Sequence, residues 1–295
     1  MKVVISDNVI PEVLEIIKAT GAEIDYKPEN LEAALEDADA LVIRSATKVT
    51  PELLTHAPKL KLVVRGGVGL DNVDREECKK RGIEVANTPG ASTNAVAELA
   101  LGLMLSAARH IPRATTSTKE GRWEKKQLTG SELSGKTLGL IGCGRIGSAL
   151  GEKAAALGMK IIGYNPPPRH ESELIEYVDN LDDFLGRADF ISLHVPSTPK
   201  TDNMVNAETI SKMRDGVILI NTARGSIIEE DALYDALQNG KVRAAALDVY
   251  QKEPYVGKLS ELENTILTPH VAASTSEAQI RIGEEIAQKI KGLMG

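Results

Sequence analysis

Disulfide bonds have no place in this chain: its 295 residues carry two cysteines, Cys78 and Cys143, far apart in sequence. Two lone thiols build no covalent framework, and the pattern suits a reducing cytoplasm. No apolar run reaches the roughly 18 residues that a membrane span requires. The opening Met1-Lys2-Val3-Val4-Ile5-Ser6-Asp7 is interrupted by charge too soon to form the apolar region of a secretion signal. No basic stripe offsets the net charge of −7, which argues against nucleic acid as the main partner. Tandem repeats and low-complexity tracts are absent as well. What is left is an ordinary soluble composition, 42% hydrophobic and 26% charged, long enough for two domains with a core each.

One stretch organises the rest. The apolar run at 137–141 reads as a buried parallel strand, breaks at Gly142-Cys143-Gly144-Arg145-Ile146-Gly147, and resumes as a helix over 148–157. Three glycines stand in the G-x-G-x-x-G order of a dinucleotide site. Gly142 permits the tight turn, Gly144 lets a pyrophosphate approach the backbone, and Gly147 lets the helix pack on its strand. The helix N-terminus offers N–H groups and a positive dipole end to the phosphates. A second strand over 159–164 completes the unit.

Before this motif, short apolar runs near 3–6, 22–26, 40–44, 60–65 and 83–86 alternate with helical stretches, the pattern of a parallel sheet covered on both faces. The glycine-rich segment Arg65-Gly66-Gly67-Val68-Gly69 follows one of these strands, where Arg65 could hold a small anion; a tight turn with a solvated arginine reads equally well. A turn-rich hinge at 87–93 leads into a long apolar helix over 94–110, in which Glu98 is expected to be buried and paired. The polar stretch 115–133, with the only tryptophan, Trp123, reads as an arm onto a second subunit or as a solvated loop. Strands recur at 190–195, 217–221, 243–248 and 265–267, and an amphipathic helix spans 274–294. The fold class is therefore α/β: two doubly wound parallel-sheet domains, with a Rossmann dinucleotide-binding domain (93–272) inserted into a flavodoxin-like substrate domain (1–92 plus 273–295).

Ligands of such sheets sit beyond the carboxyl ends of the strands. Successive strand-end loops there carry Arg224, Glu253 and His270. Reduction of a 2-keto acid needs a guanidinium for the carboxylate and the carbonyl. It also needs an imidazolium to protonate the alkoxide, and a carboxylate to keep that imidazolium charged and oriented. Singly, each residue is as easily an ion pair, a solvated loop residue or a packed histidine; together they point to catalysis.

The chain here resembles the D-isomer-specific 2-hydroxyacid dehydrogenases. Six segments carry the resemblance: 42–49 (Val-Ile-Arg-Ser-Ala-Thr-Lys-Val), 65–74, 138–147, 221–225 (Asn-Thr-Ala-Arg-Gly), 246–249 and 268–272 (Thr-Pro-His-Val-Ala). It implies catalysis by Arg224, Glu253 and His270. It also implies cofactor contacts at Gly142, Gly144, Arg145, Ile146, Gly147, Asn165, Val195, Pro196, Thr201, Thr222, Ala223, Asp248, His270 and Ala272. Asp248 is expected near the nicotinamide, no metal is implied, and a homodimer is. The segments 44–49 and 65–74 favour the phosphoglycerate branch, in which 3-phosphoglycerate is oxidised to 3-phosphohydroxypyruvate at the entry to serine biosynthesis. That implies substrate contacts at Arg44, Ser45, Arg65, Gly66, Gly67, Ser92, Lys125, Arg224 and His270, with Lys125 reaching a neighbour's active site where relatives have arginine. Ser92 stands where relatives commonly have asparagine. The chain also ends without the regulatory domain of longer members, so feedback inhibition by serine is not expected.

The cofactor is expected to be NAD. Asn165 stands where an acidic residue usually accepts from the ribose 2′-OH, and Arg169 or His170 could attract a 2′-phosphate, so NADP is a competitor. A glyoxylate or hydroxypyruvate reductase is the alternative enzyme. A non-catalytic dinucleotide-sensing binding protein is the alternative of another class.

Overall fold

In the computed structural model, which describes residues 1–167 and 172–295, the chain divides into two compact units: Met1–Thr93 with Ala273–Gly295, and Asn94–Ala272. The expected contributions of Arg169 and His170 lie outside the described residues.

The first unit holds strands β1 (Lys2–Ile5), β2 (Glu23–Tyr26), β3 (Ala40–Ile43), β4 (Leu62–Arg65) and β5 (Glu84–Asn87), all parallel, in the order β2-β1-β3-β4-β5. This is the flavodoxin-like order. Every residue of β3 is buried, which is why its sequence is an unbroken apolar run rather than an alternating one. Side chains of Asn30, Thr50 and Asp74 cap the helices that follow them, each accepting from a backbone N–H three residues on. The helix Ser276–Met294 closes one face of this sheet. Its Ile282, Ile286 and Ile290 recur every four residues and join Val13 and Ile17 in one core. Each such buried aliphatic side chain contributes about 1.5–3 kcal/mol.

The second unit holds β6 (Thr137–Ile141), β7 (Lys160–Tyr164), β8 (Ile175–Tyr177), β9 (Phe190–Leu193), β10 (Val217–Asn221), β11 (Val242–Leu247) and β12 (Thr265–Leu267). All pair in parallel, in the order β12-β11-β10-β9-β6-β7-β8. The strand order reverses between β6 and β9, which is where a doubly wound sheet opens for a ligand. Apolar clusters cover both faces.

Two expectations need correction. Glu98 is exposed: the helix Thr93–Arg109 buries its alanine, Leu103 and Met104 face and turns Glu98 outward, where Asn94 Nδ2 donates to it at 2.7 Å. That helix ends at Arg109, because His110 takes a left-handed φ of 54° and a second helix, Ile111–Lys119, starts behind it. The polar stretch is thus partly helical. From within that helix Arg113 bonds Glu124 at 3.0 Å and Glu263 at 2.8 Å, while Trp123, beyond it, is 81% exposed. Among the described residues no helix is long and apolar enough to cross a membrane.

Candidate active site

The glycine loop follows β6. Gly142 has φ +95°, and a Cβ there would lie 2.6 Å from the carbonyl oxygen of His194. A Cβ at Gly147 would collide with the carbonyl oxygen of Gly142. Gly144 differs: it is the exposed N-cap of the helix Arg145–Ala156, and a Cβ on it would meet no atom within 4 Å. The outer two glycines are thus demanded by the protein's own packing, whereas the middle one faces open space at a helix N-terminus. That is the shape and polarity a pyrophosphate needs, so these residues fit a dinucleotide. Arg145 is exposed and Ile146 half-buried beside it. Asn165, at the end of β7, accepts the Cys143 N–H at 3.1 Å and donates to the Pro166 carbonyl at 2.8 Å. The Val195–Pro196 segment is braced by Thr201, whose hydroxyl donates to the Pro196 carbonyl at 2.6 Å.

Three loops carry the candidate reacting groups. Beyond β10, buried Asn221 staples its own loop, with Nδ2 donating to the Arg224 carbonyl and Oδ1 accepting from Ala223 N–H. Thr222 is buried there, and the Arg224 guanidinium donates to the Ala223 carbonyl at 2.6 Å. Beyond β11 and β12, Glu253 Oε2 and His270 Nδ1 are 2.8 Å apart, with the two side chains 37% and 44% exposed. A carboxylate at Nδ1 selects the tautomer with its proton there and leaves Nε2 to exchange a proton.

Asp248, the residue expected near the nicotinamide, engages its carboxylate with the chain around His270. It is fully buried, and its carboxylate accepts from the Thr268 hydroxyl at 2.5 Å, Val271 N–H at 2.9 Å and Ala272 N–H at 2.8 Å. Burial of a carboxylate demands such compensation, and here it clamps the His270 loop. His270 needs holding, because its φ of 53° is a left-handed conformation that costs a non-glycine residue on the order of 1–3 kcal/mol.

The first unit has a matching device that the sequence reading missed. Asp7, 7% exposed, accepts from the backbone N–H of Arg44 at 2.6 Å and of Thr47 at 3.1 Å, and from the Thr47 hydroxyl. Asn72 Nδ2 adds bonds to the carbonyls of Arg44 and Thr47. The half-buried Arg44 guanidinium meets the Gln279 amide oxygen at 3.4 Å, and burial pulls its pKa below the ordinary value against the opposing pull of Asp7. Arg65 Nε donates to the Arg44 carbonyl at 3.4 Å, and its guanidinium lies where a Cβ at Gly67 would be. A Cβ at Gly66 would come 3.1 Å from Ile282. Arg44, Arg65, Gly66 and Gly67 are thus brought together, with Ser45 exposed on the same loop. Ser92 is buried, whereas Lys125 is exposed on the stretch after the helix Ile111–Lys119. The signal for Asp7 was a charge at the end of an apolar strand, a position where an unsatisfied carboxylate could not stay.

A histidine paired with a carboxylate, an arginine on a neighbouring strand-end loop and a glycine loop that fits a dinucleotide now stand on one sheet. Residues 101–272 match the family model described as "D-isomer specific 2-hydroxyacid dehydrogenase, NAD binding domain". The chain belongs to the D-isomer-specific 2-hydroxyacid dehydrogenases. It is 52% identical to a hydroxypyruvate reductase of Thermotoga maritima over 277 residues, 91% of this chain and 90% of that one. It is 47% identical to a D-3-phosphoglycerate dehydrogenase of Methanocaldococcus jannaschii over 302 residues, covering 100% of this chain but 57% of that relative. Among solved structures, a D-lactate dehydrogenase of Aquifex aeolicus in complex with NAD and lactic acid superposes with a TM-score of 0.88. The two are 34% identical, and the match covers 100% of this chain and 95% of that one. The chain is therefore an oxidoreductase of the 2-hydroxyacid dehydrogenase type that uses a nicotinamide cofactor.

Proposed function

We propose that this dehydrogenase interconverts 3-phosphoglycerate and 3-phosphohydroxypyruvate with NAD, in the cytoplasm and as a homodimer, at the entry to serine biosynthesis. The observation that carries the chemistry is the 2.8 Å contact between Glu253 and His270. In oxidation, neutral His270 takes the C2 hydroxyl proton at Nε2 while its Nδ1–H stays on Glu253. Arg224 holds the substrate carboxylate and polarises the oxygen on C2. The glycine loop at 142–147 and Asn165 would hold the dinucleotide, which would supply the hydride acceptor for C2. In reduction the same nitrogen returns the proton.

The paired arginines favour a phosphorylated substrate: Arg44 and Arg65 share one anchored loop system, and a bidentate guanidinium suits phosphate geometry. Asn165 turns its amide oxygen to the glycine loop as an acidic residue could, which supports NAD; its lack of charge leaves NADP tolerable. Two buried cysteine thiols suit the reducing compartment. A second reading, a hydroxypyruvate or glyoxylate reductase, is favoured by the 52% identity to a hydroxypyruvate reductase.

Steady-state rates on the purified protein with 3-phosphoglycerate, 3-phosphohydroxypyruvate, hydroxypyruvate and glyoxylate, each with both cofactors, decide between them. The phosphorylated pair with NAD(H) is expected to have the highest kcat/KM; faster turnover of the unphosphorylated acids would establish the second reading. Arg44→Ala is expected to lower kcat/KM about 10–100-fold for the phosphorylated substrates, the worth of one charge-assisted contact, and to leave the others unchanged.

A further inference from the structure

Arg224, Glu253 and His270 sit on three separate loops, and one residue assigned no role so far, Tyr250, touches all three. Its backbone N–H donates to Glu253 Oε1 at 3.2 Å. A Cβ at Gly225 would collide with the Tyr250 carbonyl group, so the chain just after Arg224 packs backbone to backbone against it. Its hydroxyl proton is shared between the carbonyl oxygens of Leu247 at 3.0 Å and Thr268 at 2.9 Å. The Thr268 carbonyl also receives the His270 N–H at 3.0 Å, closing the tight turn that delivers His270 in its strained conformation. The ring is buried and stacked on Tyr255 with centroids 4.3 Å apart.

We propose that Tyr250 is a positioning residue for hydride transfer. Its peptide groups set the spacing of the Arg224 and Glu253 loops, and its hydroxyl anchors the turn that presents the His270 imidazole. This rests on reading Arg224, Glu253 and His270 as the reacting groups. Burial, with Asp248 nearby, pushes the phenol pKa up to about 12, so the hydroxyl remains a donor at every working pH. The anchor is separable from stability. The Leu247 carbonyl keeps the Thr268 N–H at 2.9 Å and the Thr268 carbonyl keeps the His270 N–H, so Tyr250→Phe strands neither acceptor and preserves the stacked ring. What it removes is the constraint on the turn, and displacement of about 1 Å at a reacting group costs about 100-fold in rate.

The test compares Tyr250→Phe, His270→Gln and the double variant with the unaltered protein, in reduction of hydroxypyruvate and 3-phosphohydroxypyruvate by NADH and by NADH deuterated at C4. Tyr250→Phe is expected to lower kcat about tenfold, to leave KM for NADH and the melting temperature nearly unchanged, and to raise the deuterium isotope effect on kcat. In the His270→Gln background it should cost nothing further, since there is no imidazole left to position. An unchanged kcat in Tyr250→Phe, a lowered melting temperature with intact kcat, or a full tenfold loss on top of His270→Gln overturns the proposal alone. Near-normal turnover of His270→Gln overturns the reading of the active site itself.

Discussion

Two histidines follow strands of the same sheet and meet opposite fates. His194 comes directly after β9; its Nε2 shares a 2.8 Å hydrogen bond with the fully buried Ser192 hydroxyl, and burial pushes its pKa down to about 4. It stays neutral and supports the glycine loop: its carbonyl lies against Gly142 and its ring against the Gly147 position. His270 lies beyond β12 with a carboxylate on Nδ1 and a half-exposed ring. The same side chain is a structural strut where its ring nitrogen meets a buried hydroxyl and the residue packs against the glycine loop. On the function proposed above it is the proton carrier where a carboxylate meets Nδ1 and the ring is half-exposed.

The sharpest way to break this contrast is to remove each ring in turn. His270→Ala is expected to lower kcat about 10³-fold with cofactor affinity nearly unchanged, while His194→Gln changes kcat only a few-fold. Equal losses of kcat would erase the distinction. Next in size is an effect on stability. The folded-state pKa of His194 lies below the value near 6.5 of an unfolded chain, so the unfolded state binds the proton first as pH falls. Its contribution is therefore complete above about pH 6.5 and lost by about pH 4, at most about 3 kcal/mol. Denaturant titrations across that window should show a steeper acid loss for the unaltered protein than for His194→Gln; superimposable curves would mean that the ring is not buried neutral. Smallest is Glu253→Gln, which keeps an acceptor for Nδ1 but removes the charge. Steady-state kinetics should then show kcat lowered about 10–100-fold, and no loss would detach the carboxylate from the proton's route.

The two aspartates form a second pair. Asp7 holds the Arg44 loop and Asp248 the His270 loop, each buried at a strand end and each satisfied by backbone N–H groups and a threonine hydroxyl. The sequence points to Asp248 but not to Asp7, and it shows the partners of neither. Both omissions have one cause. A polar residue after an apolar strand marks the carboxyl end of the sheet, yet whether its side chain faces the ligand or turns back into the loop depends on chain brought in from elsewhere. Glu98 has the hydrogen-bond partner expected of it but not the burial, since helix periodicity places a residue on a face but cannot say which face is covered. The strand β8 runs Ile-Glu-Tyr, with a charge at its centre and no apolar run to read, whereas β12, equally short, runs Thr-Ile-Leu and is legible at 265–267.

The amino-acid sequence alone determined the alternation of apolar strands and amphipathic helices, the glycine spacing at 142, 144 and 147, and the strand-end placement of Arg224, Glu253 and His270. These follow from periodicity and from backbone conformations that few residues tolerate, both properties of a local window. Tertiary structure alone decided that Glu253 meets His270, that Asp248 and Asp7 face inward, and that one tyrosine joins three loops. Such contacts join residues as many as 40 positions apart, and their strength comes from burial, which no local window contains.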